Sequence, residues 1–121
     1  MAKILVADDE PDVLLIVSER LRRSGYEVEY ASDGTQAVQK VKENVYDLLI
    51  LDIRMPGHTG YEVCDFSKNS EKNAKTPVLL ISAFPEEVEK WRPSKADAFL
   101  AKPFETGKLV LTVDRLLKGN A

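Results

Sequence analysis

The sequence has a single cysteine, Cys64, among 121 residues, so no internal disulfide can form and a reducing compartment is the natural setting. No apolar run approaches the roughly 20 residues needed to cross a bilayer. Met1, Ala2 and Lys3 lead straight into a short apolar segment, without the hydrophobic stretch of a secretion signal. No membrane partner is expected, and the protein is placed in the cytoplasm. An excess of positive charge is also missing. Seventeen basic residues face 20 acidic ones, a formal charge of −3, which leaves no basic surface for a phosphate backbone, so no direct nucleic-acid contact is expected. There is no GxxxxGK[ST] loop for a nucleotide, no internal repeat and no low-complexity linker. The one histidine, His58, stands in a polar loop without companions for a metal site.

What is present reads as an ordinary globular domain, 44% hydrophobic and 31% charged, long enough to bury one core. A single domain is expected over residues 1–121, and with only Gly119, Asn120 and Ala121 after the last helical pattern, no output domain is expected in this chain. Five short apolar runs predict strands at 4–7, 27–31, 48–51, 78–81 and 98–101. Four of them are nearly continuous in apolar residues, as strands covered on both faces must be. The second alternates charged and apolar residues, which predicts an edge strand with one wet face. Helical patterns fill the gaps. Residues 12–24 follow Pro11 and stop at Gly25, and 34–43, 60–68 and 106–118 carry apolar stripes at helical spacing. Between the fourth and fifth strands, 86–92 predicts only a short helix, because Pro93 cannot continue it. Cys64 and Trp91 are expected to pack as apolar cover. The alternation of strand and helix implies a parallel α/β sheet with helices on both faces.

In such a sheet the C-terminal ends of the strands open into one crevice, where ligands bind. The first strand ends in Asp8 and Asp9, the third in Asp52, the fourth in Ser82 and the fifth in Lys102. Clustered carboxylates raise one another's pKa values unless a cation sits among them. Magnesium suits such a place, since it prefers oxygen ligands and is commonly held by few carboxylates plus phosphate oxygens. A carboxylate at Asp52 is then a candidate nucleophile toward a phosphoryl group, with Lys102 and Ser82 to stabilise the transferred oxygens. Each residue alone has a plainer reading. Asp8, Asp9 and Glu10 suit a helix start, Asp52 a turn, Ser82 a strand end and Lys102 a surface. Convergence from four strand ends favours the chemical reading.

The runs from Lys3 to Pro11, Asp47 to Gly57, Ile81 to Ala83 and Lys102 to Phe104 together resemble the response-regulator receiver domain of two-component signalling, over essentially the whole chain. That resemblance implies a flavodoxin-like (βα)5 doubly wound parallel sheet, strand order 2-1-3-4-5. It implies a phosphoacceptor that takes a phosphoryl group from a phosphohistidine onto Asp52 with magnesium bound. The donor would be a sensor histidine kinase or a histidine phosphotransfer protein, and the signal would pass to a downstream protein the sequence does not name. Asp9 and Asp52 would hold the metal directly, Asp8 largely through water, and Arg54 through its backbone carbonyl. Lys102 would meet the phosphoryl group across a cis Lys102–Pro103 peptide. Ser82 and Phe99 would act as the conformational switch. No enzymatic turnover is expected beyond self-phosphorylation and slow autodephosphorylation.

Alternatives from other classes are a degenerate receiver that only binds proteins, and a phosphatase. The complete Asp8, Asp9, Asp52, Ser82 and Lys102 set argues against the first. Arg54, standing where a phosphatase would place its general acid, argues against the second. The chain departs from the family pattern in a short Ser82-to-Lys102 interval, in Lys95 where a glycine is usual, and in Pro93. The face made by the fourth helix, fifth strand and fifth helix is therefore expected to depart from its common shape. Two further expectations come from side chains. Val13 to Val17 encircle their helix, so one or two must be exposed and offer a docking surface to the kinase. Arg54 and Phe84 would flank the path of an attacking water, and the bulk of Phe84 would slow loss of the phosphoryl group.

Overall fold

The computed structural model describes residues 1–119, so the last two residues of the expected 1–121 domain lie outside the described residues. The five strands are β1 (Lys3–Ala7), β2 (Glu27–Ala31), β3 (Leu48–Asp52), β4 (Val78–Ser82) and β5 (Ala98–Ala101). They form one parallel sheet in the order β2-β1-β3-β4-β5. The helices are α1 (Pro11–Arg23), α2 (Gly34–Glu43), α3 (Gly60–Lys68), α4 (Glu87–Lys90) and α5 (Thr106–Leu117).

Strand side chains alternate between two cores. Ile4, Val6, Leu48, Ile50, Leu79 and Ile81 face α1 and α5, meeting Leu14, Val17, Leu21, Leu109 and Val113. Leu5, Ala7, Leu49, Leu51, Val78 and Leu80 face α2 and α3, meeting Ala37, Val41, Val63 and Cys64. This two-sided burial is why β1, β3 and β4 read as continuous apolar runs. β2 is an edge with a wet face, and Tyr30 stays exposed. The continuous run of β5 is misleading, because β5 is the other edge: Phe99 is half-buried and Ala101 exposed.

Pro11 opens α1, and Gly25 follows it at φ 95°, a left-handed position that glycine takes freely. α3 starts with a capping box, Glu62 N donating to Thr59 Oγ1 and Thr59 N to Glu62 Oε1. α4 is shorter than the expected 86–92. It keeps a single turn, after which Trp91 packs its ring parallel to Phe99 with centroids 6.0 Å apart. At the far end of the sheet, buried Asn73 donates to Val41 O and Asn44 O and accepts from Tyr46 N and Thr76 Oγ1. That amide satisfies backbone groups that no regular element serves. His58 is half-exposed beside Glu62, 3.9 Å away. No described helix is long and apolar enough to cross a membrane.

Candidate phosphoacceptor site

The parallel register sets the strand ends level with one another. Ala7 lies beside Leu51, Asp52 beside Ile81, and Ser82 beside Ala101. The residues at or just past those ends therefore share one crevice. Asp8 is fully buried and Asp52 is 6% exposed. Lys102 reaches in from beyond β5, its backbone N donating to Ser82 O. Its Nζ lies 2.8 Å from Asp8 Oδ2, 3.0 Å from Glu10 Oε1 and 3.6 Å from Asp52 Oδ2. The Lys102–Pro103 peptide is cis.

One ammonium thus serves three carboxylates, and oxygens of Asp8, Glu10 and Asp52 lie within 4.8 Å of one another. The imbalance shows in their proton affinities. Burial, then the Asp8 charge and Asp9, push the Asp52 carboxyl up to about 7 against the opposing pull of Lys102. For Lys102, burial works against the charged form. Its hydrogen bond to Asp8 and the charges of Asp52 and Asp8 outweigh that, so the ammonium is held above its usual range.

Asp8 Oδ1 accepts from Glu10 N, which orients the carboxylate. Asp8 Oδ2 lies 2.8 Å from the Lys102 ammonium, which it shares with Glu10 and Asp52. A set of clustered carboxylate oxygens whose negative charge a single ammonium does not offset fits a hard divalent cation. Magnesium therefore suits the residues present.

The predicted residues are not all gathered equally. Asp8, Asp52 and Lys102 meet directly. Ser82 is buried at the end of β4, its hydroxyl accepting from Phe84 N at 3.1 Å. Asp9 is exposed, and its carboxylate lies outside the three-residue cluster. Arg54 directs its side chain to Glu86, with Nη2 at 2.7 Å from Oε1, and lays its guanidinium over the Phe84 ring at 3.6 Å. Phe99 is turned toward Trp91. Sequence reasoning missed Glu10 as a member of the cluster. Its signal was present, a third acidic residue directly after the aspartate pair, but it was absorbed into the reading of a helix start.

The response regulator receiver domain model matches residues 4–114. The transcriptional regulatory protein ResD of Bacillus subtilis is 38% identical over 118 residues, covering 96% of this chain and 48% of ResD. The chain thus spans about half the length of that curated relative. Among solved structures, the chemotaxis response regulator CheY4 of Vibrio cholerae superposes with TM-score 0.88 at 34% identity, covering 96% of this chain and 98% of that one. The receiver domain of the sensor histidine kinase PA1611 from Pseudomonas aeruginosa superposes with TM-score 0.89 at 27% identity, covering 97% and 98%. That structure carries a magnesium ion coordinated in its active-site cleft.

Proposed function

The chain belongs to the response regulator receiver domain family, and from that premise we propose that Asp52 is the phosphoacceptor, taking its phosphoryl group from a phosphohistidine. The observation that carries the proposal is Lys102 Nζ standing within 3.6 Å of both Asp8 and Asp52 in a buried crevice. An oxygen of Asp52 attacks phosphorus, the bond to the histidine nitrogen breaks, and an acyl phosphate results. Lys102 sits where it neutralises charge on the transferred oxygens, and the Ser82 hydroxyl turns from the Phe84 amide to hydrogen-bond one of them. The carboxylates of Asp8, Asp52 and either Asp9 or Glu10, with the Arg54 carbonyl, are the oxygens that would hold magnesium. The ion would offset phosphoryl oxygen charge there, as the cleft magnesium of the PA1611 receiver suggests. The chain is an acceptor and not a turnover enzyme.

Incubation with Mg²⁺ and acetyl phosphate is expected to add one phosphoryl group by intact mass, and Asp52→Asn to add none. A parent chain that stays unmodified would favour the degenerate receiver. Continuous release of phosphate from a simple phosphate ester would favour the phosphatase.

The donor, a sensor histidine kinase or a histidine phosphotransfer protein, needs an apolar landing next to the crevice. Leu15 and Ile16 on α1 are 58% and 54% exposed. Ile16 borders a groove of about 360 Å³ shared with Val13, Val17, Lys102, Pro103 and Phe104. A helix carrying the phosphohistidine could lie there and present its phosphorus to Asp52. Ile16→Glu and Leu15→Glu should slow transfer from the kinase at least about tenfold while leaving acetyl phosphate uptake unchanged. Equal kinase rates for parent and variants would remove this docking face.

Phe84 is 42% exposed and roofed by Arg54, and in this reading its ring would flank the path of water to the acyl phosphate. Phe84→Ala should shorten the lifetime of the phosphorylated form; an unaltered decay rate would count against that role. The free buried thiol of Cys64 supports a cytoplasmic setting.

A further inference from the structure

A second charged assembly joins the loop after β3 to the segment after β4, outside the Asp8, Asp52 and Lys102 cluster. Arg54 lies two residues past Asp52, yet its ion-pair partners among the described residues are on the segment after β4. Nη2 is 2.7 Å from Glu86 Oε1, and Nε is 3.7 Å from Glu87 Oε2. The two pairs differ in kind. Glu86 is half-exposed, so its pair is screened and weak. The Glu87 side chain is 6% exposed, and its other oxygen accepts from the Tyr61 hydroxyl of α3 at 3.0 Å. Glu87 is the first residue of α4, so Arg54 and Tyr61 together pin that turn to the loop after β3 and to α3.

Little else holds it. α4 is four residues long, with Pro85 before it and Pro93 after it. The loop leading into it is tied by Phe84 N to the Ser82 hydroxyl. At its far end, Trp91 N donates to Glu87 O, and the Trp91 ring stacks on Phe99 at an interplanar angle of 11°.

We propose that Arg54 is a clasp on α4 that the phosphoryl group opens: its guanidinium exchanges the Glu86 and Glu87 carboxylates for phosphoryl oxygens on Asp52. This rests on Asp52 being the phosphoacceptor. A guanidinium forks onto phosphate oxygens as readily as onto a carboxylate, and a phosphoryl group carries nearly two negative charges in place of the single one on the Asp52 carboxylate, two residues from Arg54. When Arg54 leaves, Glu87 is a buried carboxylate with no cation, which is strongly unfavourable. The one-turn helix then rearranges to return Glu87 to water. The same event draws the Ser82 hydroxyl away from Phe84 N, so the Arg54 and Ser82 ties of the segment fail together and only the Tyr61 hydrogen bond is left to the Glu87 carboxylate. Trp91, carried by α4 and stacked on Phe99, moves with it.

The test uses the full chain with Mg²⁺ and beryllium fluoride as a phosphoryl mimic. Binding is followed by calorimetry and by emission of Trp91, the single tryptophan. Glu87→Gln keeps the acceptor for Tyr61 and nearly the same shape but gives up the ion pair. It should bind beryllofluoride about tenfold more tightly than the parent, with Trp91 emission already displaced toward that of the bound parent before any addition. In an Arg54→Ala background the same substitution should change affinity less than about twofold, since the coupling partner is gone. Parent-like affinity in Glu87→Gln, or an equal effect with and without Arg54, overturns the clasp while leaving the acceptor reading intact. Failure of the parent itself to bind beryllofluoride removes the acceptor reading and the clasp with it.

Discussion

Replacing Gly34 by alanine is expected to lower the unfolding free energy by about 3–5 kcal/mol, a large part of what a domain of this size holds. Gly34 opens α2 at the point where that helix meets the loop between β3 and α3. Its amide donates to Pro56 O at 2.9 Å. A methyl group there would stand 2.0 Å from His58 O and 2.5 Å from His58 N. These are backbone atoms, so no side chain can swing aside. The loop cannot retreat either. Gly60 N donates to Ile53 O at 2.8 Å, and a methyl at Gly60 would itself fall 2.6 Å from Asp52 O. Moving the loop therefore moves the backbone of Asp52, and Gly34→Ala should also slow phosphoryl uptake from acetyl phosphate. The control is Gly107→Ala. Gly107 lies within α5 with open space around the added carbon, so that variant should gain about 0.5–1 kcal/mol from reduced backbone freedom. Urea unfolding of the three proteins decides the matter. A Gly34→Ala curve that overlays the parent would mean the helix–loop contact is far softer than its geometry implies.

The contrast between those two glycines marks how much a sequence discloses. The sheet was legible because β1, β3 and β4 are covered on both faces, and burial on both faces leaves an unbroken apolar run in the chain. The crevice was legible for the same reason: once strand ends are located, the residues that terminate them are read off in order, and Asp8, Asp52, Ser82 and Lys102 need no further information. Glu10 was not legible, because acidic residues before a helix serve as caps and as ligands alike. In the fold it has the extended backbone of an N-cap residue but makes no side-chain capping bond; its carboxylate goes to Lys102. The edge position of β5 came only with the strand order that the family resemblance implied, because Phe99 and Leu100 are apolar whether or not a sixth strand covers them. The brevity of α4 followed from Pro93, but the pairing of Arg54 with Glu87 did not. Partners far apart in sequence are selected by packing, here by the approach of α4 to the loop after β3, and no local pattern records that choice. Asn73 is a similar case, a polar loop residue three of whose four partners, Val41, Asn44 and Tyr46, lie 27 to 32 residues away at and after the end of α2.

The excess of negative charge in the crevice has a measurable consequence for the metal-free protein. Free aspartate loses its proton near 3.8, and in the fold Asp52 holds it up to about 7, first because it is buried and then because of Asp8. Between those values the folded chain binds a proton that the unfolded chain has released. The unfolding free energy must then fall as pH rises from about 4 to about 7, and stay reduced above that. Asparagine at position 52 has no charge to bury. Asp52→Asn should therefore be more stable than the parent at pH 8, on the order of 2–4 kcal/mol, and close to it at pH 4. Lys102 is not stranded by the substitution, since Asp8 and Glu10 remain at 2.8 Å and 3.0 Å. Magnesium should reverse the order. The ion binds the ionised carboxylate, so at pH 8 saturating Mg²⁺ stabilises the parent by mass action and the variant much less. The parent's affinity for Mg²⁺ should in turn weaken as acid competes for Asp52 below pH 7. Urea unfolding at pH 4 and pH 8, with and without Mg²⁺, reads all of these. If Asp52→Asn gains nothing at pH 8 without metal, the carboxylates are not in electrostatic conflict, and the drive to recruit a cation and a phosphoryl group to this crevice must come from elsewhere.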